Sequence, residues 1–140
     1  MSDVLQQTPN ELYLRLSDCT MRVGKGSRGR PALEVYTGYR LIDVAVAGAA
    51  LGPRLLRGAL RSARGEPAWA LAWGVLPDDG VPPQVEFRRG RFVLQAPATI
   101  FAERFWVAAV PGVYRSLTVR TEGDALGEGG RLGRMRTPRL

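Results

Sequence analysis

The chain has 140 residues, of which 45% are hydrophobic and 24% charged, with three Trp, four Tyr and four Phe; this suffices for one buried core without metals or disulfides and excludes global disorder. It has no histidine and one cysteine, Cys19, which removes the commonest general base, the histidine-dependent serine and cysteine triads, most zinc sites and any intramolecular disulfide. The net charge of +7 points toward an anionic partner.

The N-terminal stretch, residues 1–10, carries neither the positive n-region nor the apolar h-region of a secretory signal and is expected to be an arm. With a lone cysteine, the chain fits a reducing cytoplasm. Glu11 to Val23 alternates Leu12, Leu14 and Leu16 against Tyr13, Arg15 and Ser17, the pattern of a half-buried strand.

Gly24-Lys25-Gly26-Ser27-Arg28-Gly29 then matches G-x-G-x-x-G letter for letter. A dinucleotide fingerprint needs a helix starting at the glycines, because the pyrophosphate rests on that helix's N-terminus. Asp43 stands 19 residues after Gly24, as an acid should, but the following ALEVYTGYRL is β-branched and aromatic, so the helix is missing. A kinase loop would need a downstream lysine, and the only lysine is Lys25 inside the loop. The stretch therefore reads as a hairpin loop, its glycines supplying positive φ, with Lys25, Arg28 and Arg30 available to an anion.

A strand rich in Val, Ile and Tyr follows, bent at Gly38. The apolar run from Leu41 to Leu51 is interrupted by Asp43 and is about half the ~20 residues that a membrane span requires. Pro53 to Arg64 predicts a helix near residues 53–64: Leu55, Leu56, Ala59, Leu60 and Ala63 share one helical face, and Gly65 and Pro67 stop it. On that helix Arg54, Arg57, Arg61 and Arg64 would form one basic stripe.

Trp69, Leu71, Trp73 and Val75 alternate with Ala70, Ala72 and Gly74, a strong strand signature with the tryptophans facing a core. Asp78-Asp79, the only adjacent acids, lie beside Gly80 and read as a turn rather than a catalytic pair. Gln84 to Pro97 reads as a hairpin turning at Arg89-Gly90, and Pro111-Gly112 as a turn between two more strands. Phe105 and Trp106 must point oppositely in a strand, so one shares the tryptophan core and the other, Trp106, is the candidate anchor for a partner. From Gly123 the chain reads as a Gly/Arg-rich flexible tail, residues 123–140, leaving 11–122 as the single globular domain. Cys19, in a strand with no histidine to activate it, reads as a buried apolar residue.

The fold expected is mainly β, a small sandwich or barrel, with an α+β variant if the helix forms. No catalytic, cofactor or metal set is visible. The basic residues are segregated into acid-free segments: Lys25, Arg28, Arg30; Arg54, Arg57, Arg61, Arg64; Arg88, Arg89, Arg91; and Arg131, Arg134, Arg136, Arg139. The sequence thus points to a non-enzymatic interaction or regulatory module. Its expected partner is a protein, either a second copy or another subunit of an assembly; the alternative is a nucleic acid whose phosphates meet the clustered arginines.

Overall fold

The computed structural model describes residues 4–47, 54–122 and 127–135. The chain is mainly β. The strands are β1 (Val4–Gln7), β2 (Glu11–Leu14), β3 (Cys19–Lys25), β4 (Pro31–Thr37), β5 (Arg40–Val46), β6 (Leu56–Arg61), β7 (Trp69–Val75), β8 (Gln84–Arg89), β9 (Phe92–Ala96), β10 (Thr99–Phe101), β11 (Phe105–Pro111), β12 (Ser116–Arg120), β13 (Glu128–Arg131) and β14 (Gly133–Arg134). They form three open sheets, ordered β1-β2-β3-β4-β5, β10-β11-β7-β6-β14 and β13-β12-β8-β9. Pairing is antiparallel except where β14 joins β6 in parallel.

In the second sheet β7 and β11 are buried on both faces, which gives the layering. From β7 and β11, Trp69, Leu71, Trp73, Phe105 and Val107 pack with Leu12, Leu14, Met21, Leu33 and Val35 of the first sheet. Their neighbours Ala70, Ala72, Trp106, Ala108 and Val110 pack with Val85, Phe87, Leu117 and Val119 of the third. The large-small alternation of β7 therefore serves two cores, with the tryptophans on one side and alanines on the other. Gly74 is part of the same arrangement: a Cβ there would lie 1.6 Å from the Leu55 carbonyl oxygen and 2.6 Å from Trp106 Nε1.

Several sequence expectations are corrected. The segment expected to be a helix near residues 53–64 is strand β6, with Pro53 outside the described residues. Gly58 pairs with Trp73, whose ring covers it so closely that a Cβ would sit 2.2 Å from Cζ2. The leucine spacing that mimics a helix comes from a bulge at Arg57, which offsets the alternation by one residue. Trp106 is not an exposed anchor; it is fully buried, and its indole N–H donates to the Leu55 carbonyl at 3.1 Å.

The domain also extends beyond 11–122. Val4–Gln7 pairs with β2. In place of a flexible tail, Glu128–Arg131 extends the third sheet and Gly133–Arg134 lies on β6, while Leu132 is buried. Arg136 and Arg139 lie outside the described residues, as do 123–126. No helix among the described residues is long and apolar enough to cross a membrane.

Candidate anion-binding site

The glycine-rich loop is a hairpin between β3 and β4, closed by the Gly26 N–H on the Arg30 carbonyl at 2.7 Å. Only Gly29 of its glycines has positive φ, at 70°, and Arg28 joins it at 59°. Gly24 and Gly26 instead admit close neighbours: Cβ atoms there would lie 2.5 Å from Glu34 Oε2 and 2.9 Å from Val46 Cγ2. The loop holds only a three-residue 3-10 turn, Ser27–Gly29, and runs straight on into β4 with no α-helix, so no helix N-terminus is presented to a dinucleotide pyrophosphate. Lys25 and Arg28 are exposed on it.

Strand pairing gathers the other arginines. Arg134 pairs with Arg61 in the parallel β14–β6 contact, fixed by the Met135 N–H on the Arg61 carbonyl at 2.7 Å. Arg64 follows in the turn after β6. Arg115, which stands alone in the sequence, completes the group: its N–H donates to the Arg88 carbonyl at 2.9 Å and its carbonyl accepts from Leu132 N–H at 3.0 Å. The loop carrying it is held by the Gly112 N–H on the Ala68 carbonyl at 2.9 Å and by Tyr114, buried with its ring 5.8 Å from that of Phe87.

Arg61, Arg64, Arg115 and Arg134 line one cavity of about 150 Å³, together with Tyr114 and Glu66. Burial pulls the Arg61 pKa below its ordinary value, and the positive charges of Arg134, Arg115 and Arg64 pull it further. Arg61 Nε is buried with no hydrogen-bond partner. Arg134 Nη1 lies 3.4 Å from the Ser62 carbonyl. A crowd of cations with a buried donor left unpaired is an arrangement that an anion would relieve.

The remaining arginines are distributed around this group. Arg88 and Arg131 both pair with Ser116, and so share one face of the third sheet beside the cavity. Arg88 is partly neutralised by Glu86 at 3.5 Å, which also bonds Arg120. Arg89 and Arg91 are exposed at the β8–β9 turn. Arg57 projects from its bulge into a second, larger cleft, and the exposed Arg54 lines neither cavity. The structure thus brings parts of three of the acid-free segments together, with Lys25, Arg28 and Arg30 on a separate hairpin.

Other candidates resolve as structure. Cys19 is fully buried. Asp79 accepts the Val81 N–H at 2.9 Å, closing a turn. Among the described residues no group of three or more His, Cys, Asp or Glu could hold a metal. Comparison with protein-family models, curated proteins and solved structures gives no significant match.

Proposed function

We propose that this protein is a non-enzymatic binding module that holds a nucleic acid by its phosphates. The observation that carries this reading is the convergence of Arg61, Arg64, Arg115 and Arg134, drawn from distant parts of the chain, around a single cavity. Guanidinium groups suit phosphate because their planar donors bond its oxygens in pairs. Arg88 and Arg131 extend the basic surface along the third sheet, where a backbone could run on. The setting is the reducing cytoplasm, consistent with the buried Cys19.

The test is fluorescence anisotropy of a labelled single strand and a labelled duplex, titrated with the wild type and with Arg115→Ala. The reading expects binding that weakens about tenfold in the variant, the loss of one charge-assisted contact. Equal binding by the two proteins would overturn it.

A second reading, a subunit of a protein assembly or a homo-oligomer, is favoured by the apolar side chains that β5 and its turn expose. Tyr39, Leu41 and Val44 are open to solvent, and β5 pairs only with β4 among the described residues. Light scattering across a concentration series tests it: association that Val44→Lys abolishes supports this reading, and a monomer at all concentrations removes self-association.

A further inference from the structure

The arginine cavity and the larger cleft are neighbours with lining residues in common. The two share Ala63, Glu66, Trp69 and Arg134, and the larger, of about 930 Å³, lies between β5 and β6. That volume falls in the range of about 300–1,000 Å³ usual for small-molecule sites, whereas the smaller cavity has room for little more than one phosphate group.

The walls of the cleft are chemically mixed. Tyr39 stands fully exposed at the β4–β5 turn and lines it. Asp43 is held in place by the Trp73 indole N–H, which donates to Oδ2 at 2.7 Å, so the carboxylate is pre-oriented as an acceptor. Arg57 lines the same cleft, its buried Nε without a hydrogen-bond partner. An aromatic face, a fixed acceptor and a cationic donor are what a planar heterocycle with N–H and carbonyl groups needs.

We propose that the two cavities form one site for a nucleotide bearing a phosphomonoester, its phosphate among Arg61, Arg64, Arg115 and Arg134 and its base in the cleft beside Tyr39 and Asp43. This rests on the phosphate-binding reading above and deepens it. A phosphomonoester carries about −1.5 to −2 charges at neutral pH, against a single charge on an internal diester, so it better offsets four converging guanidiniums. A monoester also leaves the phosphate with one substituent, and Arg134, which lines both cavities, would flank that substituent on the side of the cleft.

The chemistry has two sources, the phosphorylated end of a strand and a free nucleotide, and competition separates them. The probe is a labelled 5′-phosphorylated single strand, compared with the same strand ending in a 5′-hydroxyl, with competition by a nucleoside monophosphate and by inorganic phosphate. The 5′-phosphorylated strand is expected to bind at least about tenfold more tightly than the hydroxyl strand, and Arg115→Ala to erase that preference. Tyr39→Ala, at a solvent-exposed position, is expected to weaken the nucleoside monophosphate by about tenfold and leave inorganic phosphate unchanged.

A nucleoside monophosphate that binds while neither strand does would support the site and assign it to free nucleotides. Equal, salt-sensitive binding of the two strands would overturn the nucleotide site and leave the phosphate-contact reading standing. Failure of both strands and of both competitors at low salt would overturn both.

Discussion

Arg134 lies directly beside Arg61, paired with it in a parallel contact between β14 and β6 that brings the last described strand onto the edge of the central sheet. Two guanidinium side chains far apart in sequence are thereby held at one cavity, with Arg64 and Arg115 closing around them. Such a gathering of like charge costs stability in the absence of a counterion. Its persistence in the fold is the physical reason to read it as a binding site.

That cost can be measured. Arg115→Ala is expected to leave thermal stability unchanged or raise it slightly, within about 0.5 kcal/mol as for other exposed positions, while weakening oligonucleotide binding. A loss of several kcal/mol in calorimetry would mean that Arg115 serves packing instead.

The central sheet gives a second expectation. Gly74→Ala would drive a methyl against the Leu55 carbonyl and the Trp106 indole, so urea unfolding should show a loss at or above the upper end of the ~1–3 kcal/mol usual for overpacking. Gly65→Ala adds a methyl that meets nothing within 4 Å, and its cost is confined to the positive φ of 81°. Equal costs for the two variants would contradict the close packing at Gly74.

All three tryptophans are at most 4% exposed. Native emission should therefore be blue-shifted and acrylamide should quench it poorly, in contrast to the urea-unfolded chain. Strong quenching of the native protein would contradict the burial of β7 and β11 on both faces.

Glu128 provides a fourth. Its carboxylate accepts the Leu55 N–H at 2.7 Å and the Leu56 N–H at 3.1 Å, tying β13 to the start of β6. Glu128→Ala leaves both donors unpaired and is expected to cost about 1.5–3 kcal/mol in urea unfolding. Truncation before Gly127 should cost more, since Leu132 leaves the core as well. A truncated chain as stable as the full one would show that β13 and β14 do not support the domain.

Tyr36 supplies the pH dependence. Its hydroxyl donates to Glu34 Oε1 at 3.0 Å, which holds the phenol pKa above its ordinary 10.0. A raised folded-state pKa gives stability that is present below the unfolded value and is lost as pH rises through the folded one. The tyrosinate absorbance titration of Glu34→Gln should therefore move to lower pH than that of the wild type. An unchanged titration would remove Glu34 as the cause.

How much of this was legible in the sequence follows from where each feature gets its specification. Trp69 to Val75 reads correctly as a strand because its own alternation carries the signal. Leu55 to Arg61 misleads because the bulge at Arg57 shifts the alternation, and the reason for Gly58 lies in Trp73 on another strand. Gly129, Gly130 and Gly133 look like tail because glycine has no strand preference of its own; β12 and β6 supply the pairing, and Leu132 was the available hint. Trp106 reads as an exposed anchor because its alternation with Phe105 implies an outward face, whereas the central sheet packs a core on each side. Arg61, Arg64 and Arg134 were visible as members of acid-free segments, but Arg115 was not, since its place in the site depends on the turn at Gly112 and on pairing with the β8 and β13 regions.

The central claim is that these arginines act together on phosphate, and the salt dependence of binding tests it most directly. A labelled single strand should lose affinity with rising salt at ~0.7 log units per log unit of salt for each phosphate contacted. The Arg115→Ala/Arg134→Ala double variant should lose the one phosphate held in this cavity and show a slope shallower by about 0.7 than the wild type's, with its thermal midpoint little changed. A wild-type slope near zero, or the same slope and affinity in both proteins, would contradict the assignment of this cavity to phosphate.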